Sequence, residues 1–299
     1  MEAVPLIIEA ALNGSTSKAR NPYVPITPDE VAAAAVAAYD AGAAIIHTHP
    51  SSLSLTGRLA ADEYLAAWHV IKAQRPGAIL YGTATLAPAI EERCAHTALL
   101  AESGLAAMGY IDPGSTNLAT SGENGMPGAM QWAYANTYAE IDYMLRQMQT
   151  CRLGPSIAVY EPGFLRTVLA YHRADRLPPG ALIKFYFGGD HNYFDGVRGG
   201  ITFGLPPTPT ALAAYLEMMA GCDLPWAVTV AGGDGMENGI IRRAIELGGH
   251  VRVGLEDFAG ERHPTNAQLA AEVAALARSM GRPVADGRAA ARILGLPRA

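Results

Sequence analysis

Apolar runs alternate with Ala- and Leu-rich stretches along the whole chain. Eight runs predict strands, at 5–12, 43–49, 78–84, 105–111, 155–161, 181–188, 226–232 and 250–256. Each is short, nearly continuously apolar and bounded by turn residues, the pattern of strands buried on both faces. Eight stretches between and after them predict helices, at 28–41, 60–74, 88–103, 135–149, 163–176, 209–221, 236–247 and 264–281. A further helical turn at about 286–294 follows.

Local signals place the helix ends. In ITPDEV, Thr27 stands as N-cap, Pro28 at the first helical position and Glu30 third, a capping box. Pro209 and Thr210 make a similar start. Gly42, Gly104 and Gly248 each follow a helical stretch and precede a strand, where a left-handed cap is wanted.

Eight strand–helix units with no linker or composition break predict a closed (β/α)8 TIM barrel. Residues 1–299 read as one barrel domain with a C-terminal helical extension at about 284–299. No GxGxxG follows the first strand, which removes the usual support for an open dinucleotide-binding sheet.

Composition narrows the partners. The chain is 50% hydrophobic, enough for a large core, and carries a net charge of -6, which disfavours nucleic acid and anionic membrane as main partners. Cys94, Cys151 and Cys222 are odd in number, scattered and form no CxxC. That pattern fits a reducing, cytoplasmic setting better than a disulfide framework or cysteine zinc site. The first residues lack the basic, then apolar, pattern of a signal peptide, and no run is long enough to span a membrane.

The chemistry concentrates in IIHTHP (45–50) and HVRVGLEDF (250–258). A strand places residues i and i+2 on one face, so His47 and His49 can address one point. Strand 8 closes the barrel against strand 1, and strand 2 flanks strand 1 on the other side. At ~4.8 Å per neighbour, roughly 10 Å separates strands 2 and 8, a gap that side chains can bridge through a metal. His47, His49 and Glu256 then form a metal site of two imidazoles and one carboxylate, suited to Zn²⁺ with an open position, or to another first-row ion. Arg252 and Glu256 share strand parity through Gly254, which leaves room between them. An Arg252–Asp257 pair would hold Asp257 ionised, with a lowered pKa, to take a proton from a carbon acid.

These residues sit within NPYVPITPDEVAAAAVAAYDAGAAIIHTH (21–49), VYEPG (159–163), WAV (226–228), GGHVRVGLED (248–257) and NAQLAAEVAALARSMGRPVA (266–285). In these segments the chain resembles the β-keto acid cleavage enzymes, the group of 3-keto-5-aminohexanoate cleavage enzyme. The resemblance implies a zinc-containing TIM barrel with His47, His49 and Glu256 as ligands, Asp257 as catalytic acid–base and Arg252 as its support. It implies that a β-keto acid enolate attacks acetyl-CoA, that coenzyme A passes to the other acyl group, and that a retro-Claisen step releases acetoacetate. It also suggests a homo-oligomer, a tetramer.

The pocket wall departs from the family pattern. Pro50, Ser51 and Ser52 follow the HxH where an acidic and basic run is usual, and Gly82-Thr83-Ala84-Thr85 replaces Ser-Thr-Gly-Gly, leaving Thr83 as the match to its hydroxyl. Tyr110-Ile111-Asp112 replaces Thr-Leu-Asn, Thr16 matches a substrate-facing Glu of one member, and strand 7 ends in AGGDG (231–235).

Further candidates for substrate contact are Asn13, Thr16, Tyr110, Glu161 and His191, with Asn13 and Ser15 placed under the metal. Lys18 and Arg20 read as a solvated face, His69, His96 and His172 as helix positions, and His250 as the far end of strand 8. The aromatic stretch 132–143 reads as helix packing or a subunit interface. Two other functions remain: an amidohydrolase-like hydrolase, which would want HxH on strand 1 and His on strands 5 and 6, and a barrel that binds metal or a small acid without catalysis.

Overall fold

The computed structural model describes residues 4–129, 133–200 and 202–298. Its strands are β1 (Ile8–Ala11), β2 (Ile45–His47), β3 (Ile79–Tyr81), β4 (Met108–Ile111), β5 (Gly154–Val159), β6 (Leu182–Gly188), β7 (Trp226–Ala231) and β8 (His250–Val253). The main helices are α1 (Pro28–Asp40), α2 (Gly57–Gln74), α3 (Ile90–Glu102), α4 (Tyr138–Cys151), α5 (Pro162–Arg173), α6 (Pro209–Met218), α7 (Ile240–Glu246), α8 (Asn266–Ser279) and α9 (Gly287–Leu294). All strand pairs are parallel, in the order β3-β2-β1-β8-β7-β6-β5-β4. The ring closes between β3 and β4 through the Leu80↔Ala106 bridge and the Ala107 N–H on the Leu80 carbonyl, 3.2 Å. This is a (β/α)8 barrel.

The two-residue period of the strands divides side chains between layers. Ile8, Ala10, Ile46, Leu80 and Ile183 face the helices and join the large core beneath them. Ile7, Ile45, Ile79 and Leu182 point inward and fill the floor of the barrel with Leu294 of α9. One repeat further along, the inward positions become Glu9, His47, Tyr81, Lys184 and Arg252. The interior therefore turns from apolar to charged toward the C-terminal strand ends, where barrel enzymes place their chemistry.

Helix ends follow the caps. Thr27 and Glu30 form the expected box, and Pro28 opens α1. Gly42, Gly104 and Gly248 hold positive φ of 120°, 75° and 87°. The start of α4 moves from the expected 135 to Tyr138, where Thr137 and Glu140 form another capping box. The start of α7 moves from 236 to Ile240 because Asp234 and Asn238 take the Met236 and Ile240 N–H groups into turns. Trp132, in the aromatic stretch 132–143, lies outside the described residues.

The largest departure is at β8, which stops at Val253 instead of running to 256. Gly254 has φ +149°, and a Cβ there would lie 2.0 Å from the Ala11 carbonyl oxygen. Its role is close backbone approach to β1, not space between Arg252 and Glu256 as expected from strand parity. The chain then turns, with the Glu256 N–H on the Ala11 carbonyl (3.2 Å) and the Phe258 N–H on the Gly254 carbonyl (2.9 Å).

Candidate metal centre and active site

Two backbone devices bring residues 47, 49 and 256 together. Asn13, just past β1, exchanges two hydrogen bonds with the His49 backbone: its Nδ2 donates to the carbonyl (3.1 Å) and its Oδ1 accepts from the N–H (2.9 Å). On the other side, buried Asn266 at the start of α8 accepts from the Leu255 N–H and donates to the Leu12 carbonyl, both at 2.9 Å. Thr16 Oγ1 donates to the Leu255 carbonyl at 2.8 Å. The turn that carries Glu256 is thus tied to the end of β1 from both flanks.

The result is three donor atoms around one point. His47 Nε2 and His49 Nε2 are 3.2 Å apart, and Glu256 Oε2 stands 3.3 and 3.5 Å from them. Glu256 Oε2 is buried and has no hydrogen-bond partner. Burial pushes the His47 pKa well below its ordinary value, against the pull of Glu256, so the imidazole is neutral. Burial works against the Glu256 charge too, but the Arg252 guanidinium, foremost among its neighbours, holds its pKa well below the carboxylate range. Neutral imidazole and ionised carboxylate are the forms that bind metal. Around them, the buried carboxylates Glu9, Asp112, Glu256 and Asp257 face the buried cations Lys184 and Arg252. The residues fit a metal of the two-histidine, one-carboxylate kind.

Arg252 links the metal ligands to the candidate base. Its NH2 lies 2.8 Å from Glu256 Oε1 and 3.1 Å from Asp257 Oδ1, and its Nε 2.7 Å from Asp257 Oδ2. Thr229 Oγ1 donates to the same Asp257 oxygen at 2.9 Å. The pairing of Arg252 with Asp257 is as expected. The expected direction of the Asp257 pKa is not: burial raises it, and the arginine only offsets part of that rise.

Other sequence candidates are spread around the barrel mouth. Thr83 follows β3; its N–H donates to Tyr64 Oη (3.0 Å) and its carbonyl lies 2.8 Å from His96 Nε2. Tyr110 turns toward α3, where its hydroxyl, with one proton to donate, stands 2.9 Å from Cys94 Sγ and 3.2 Å from the Arg93 carbonyl. Glu161 begins α5 and accepts from Thr116 Oγ1 (3.3 Å) and the Gly204 N–H (3.0 Å). His191 lines a separate groove of ≈590 Å³ among the loops after β6, β7 and β8. Ser15 is exposed. Arg20 is no solvated cation: it donates to the Tyr193 (3.0 Å) and Phe258 (2.6 Å) carbonyls and ties two mouth loops together.

Besides Thr229 and Asn266, four participants went unnoticed in the sequence. Glu9 accepts from Arg252 NH1 (2.9 Å), Lys184 Nζ (3.2 Å) and the Tyr81 hydroxyl. Lys184 Nζ also donates to Tyr81 Oη at 2.6 Å, and the Tyr81 ring stacks on His47 with centroids 4.4 Å apart. Tyr193 Oη donates to Glu256 Oε1 at 3.1 Å. Glu9 and Lys184 carried a readable signal: a charge inside an apolar strand run is buried, and buried charges are paired. Tyr81 and Tyr193 carried none.

A family model described as beta-keto acid cleavage enzyme matches residues 5–296. The chain belongs to that family. Among curated members of similar sequence, 3-oxoadipate:acetyl-CoA acetyltransferase of Cupriavidus necator is 29% identical, over 98% of this chain and 95% of its own length. The 3-keto-5-aminohexanoate cleavage enzyme of Acetoanaerobium sticklandii is 28% identical, over 97% and 98%. A solved structure of ObcA, a ternary complex with a C4-CoA adduct and oxalate, shares the fold at TM-score 0.63 and 18% identity, covering 93% of this chain and 68% of that one.

Proposed function

We propose that this family member is a metal-dependent acyltransferase that converts a β-keto acid and acetyl-CoA to acetoacetate and the acyl-CoA of the remaining fragment. The observation that carries it is the convergence of His47, His49 and an unpartnered Glu256 oxygen beside the Arg252–Asp257 pair. His47, His49 and Glu256 would hold the metal, with zinc the ion their chemistry suits best. When bound, it supplies a Lewis acid for the keto-acid oxygens and lowers the cost of forming an enolate.

Asp257 takes the proton from the carbon between the two carbonyls. Its burial raises its affinity for that proton, and Arg252 and Thr229 fix both of its oxygens. Arg252 remains charged throughout and keeps Glu256 and Asp257 at a fixed separation. Thr83 offers its hydroxyl to the substrate from the end of β3, and Glu161 and His191 stand further out on the rim. Asn13 and Thr16 act through the backbone of the metal loops, and Tyr110 through the β4–α3 contact. A homo-oligomer, with a tetramer as its form, and a cytoplasmic location complete the reading.

The test joins metal analysis to a coupled assay of acetoacetate from acetyl-CoA and a panel of β-keto acids. Stoichiometric zinc, lost in His49→Ala, and acetoacetate from at least one keto acid are expected. No acetoacetate from a broad panel would refute the transferase. Amide hydrolysis without coenzyme A would favour the amidohydrolase alternative.

A further inference from the structure

The opposite end of the barrel carries a second concave site. A groove of ≈520 Å³ runs between the end of α2, the starts of β3 and β4, and α9. Its volume is in the range of small-molecule sites, about 300–1,000 Å³. Lys72, Arg288, Arg292 and Arg298 line it, and no carboxylate does. None of the four forms an ion pair among the described residues, whereas Lys18, Arg58, Arg75, Arg93, Arg243 and Arg262 are all paired. In a chain of net charge -6, four unopposed cations in one groove run against the composition.

The groove is held in shape. Lys72 Nζ donates to the Pro76 carbonyl at 3.1 Å and Arg298 NH1 to the Ala101 carbonyl at 2.5 Å, contacts that fix the side chains without neutralising them. Burial lowers the Lys72 pKa, the mark of a partly desolvated ammonium lacking a counter-charge. Helix α9 is docked by a glycine contact: a Cβ on Gly287 would lie 1.7 Å from the Gly77 carbonyl oxygen. Asp286 caps that helix, and Arg288 and Arg292 stand one turn apart on it. The floor is apolar, built from Ala78, Ile79, Leu105, Ala107 and Ala291.

We infer that this groove binds an organic phosphate with at least two negative charges and a flat apolar body, of nucleoside diphosphate size. Arginine forks match phosphate oxygens, the lysine adds a point charge, and the apolar floor accepts a base. Because β3 begins at the groove and ends toward the metal centre, a ligand here lies a barrel's length from the chemistry. It is not a substrate of the metal centre.

Titration calorimetry of the metal-loaded full chain with ADP, pyrophosphate and adenosine tests this. ADP should bind, pyrophosphate more weakly and adenosine not at all, with affinity falling as salt rises. Arg288→Glu with Arg292→Glu should weaken ADP at least about tenfold, while Arg166→Glu, on the exposed face of α5, should not. Hydrogen exchange on the unaltered protein gives a second reading: ADP should protect 72–79, 104–107 and 287–292. No ADP binding at roughly 1 mM, equal binding by the double variant, or protection confined to the metal end would each overturn the site.

Discussion

Gly254→Ala should dismantle the metal centre without touching a ligand. The added methyl would meet the Ala11 carbonyl oxygen at 2.0 Å, its carbon at 2.6 Å and its nitrogen at 2.7 Å, all of them backbone atoms that cannot rotate away. A φ of +149° is also one that L side chains rarely adopt. Strain of that kind costs about 1–3 kcal/mol, and forced overpacking about 1–3 more. Moving β8 away from β1 would also loosen the Glu256 N–H bond to Ala11, about 1 kcal/mol. The sum, about 3–7 kcal/mol, is a large part of the roughly 5–15 kcal/mol that holds a typical domain. Differential scanning calorimetry and metal analysis on the same samples would measure it. The expected outcome is a melting temperature lower by on the order of 10 °C and substoichiometric metal, because the turn bearing Glu256 pivots at residue 254. A variant with full metal content and unchanged melting would refute the account of why glycine stands there.

Asp257→Asn should lower kcat about 10²–10⁴-fold while metal content holds, as measured by steady-state kinetics and metal analysis. Asn13→Ala should weaken metal affinity about 10–100-fold, read by competition with a chelator, because His49 loses both backbone clamps. Lys184→Met should destabilise by about 3 kcal/mol in urea titrations. Adding Glu9→Gln should recover part of that loss, since the Glu9 charge, left with Arg252 as its one cation, is then gone. His250, its pKa pushed down to about 3 by burial and then by Arg282, accepts the Ile7 N–H at 3.0 Å as a neutral ring. Its stabilisation is complete above 6.5 and drains away as pH falls toward 3, reaching a loss of about 2 kcal/mol at pH 5. His250→Asn should flatten that slope between pH 7 and 5. A residual slope should persist from His96, held to about 4 by burial.

The barrel was legible because its signals are local and repeated. Short continuous apolar runs, the Thr27–Glu30 box and the positive-φ glycines each state one element, and counting strands puts β2 and β8 on either side of β1. The three donors were legible for the same reason. What escaped depends on distances that parity does not give. Parity ran β8 on to Glu256, but the chain leaves the sheet at Gly254 because its backbone presses on Ala11. The Asp257 pKa was expected to fall beside Arg252; it rises because burial outweighs one shared arginine. The Glu9–Lys184–Tyr81 cluster was missed because each partner lies on a different strand, 72 to 175 residues apart.

The seam between β1 and β8 also sets an order of events. His47 and His49 emerge early in synthesis, while Glu256 and Asn266 come more than two hundred residues later. No chain growing from its N-terminus holds all three donors until residue 256 has been added, so a shorter nascent chain would have no complete site for an ion. Uptake of an ion by these donors would be coupled to ring closure, and in a refolding experiment the rate of ion capture would become a clock for the last strand docking against the first.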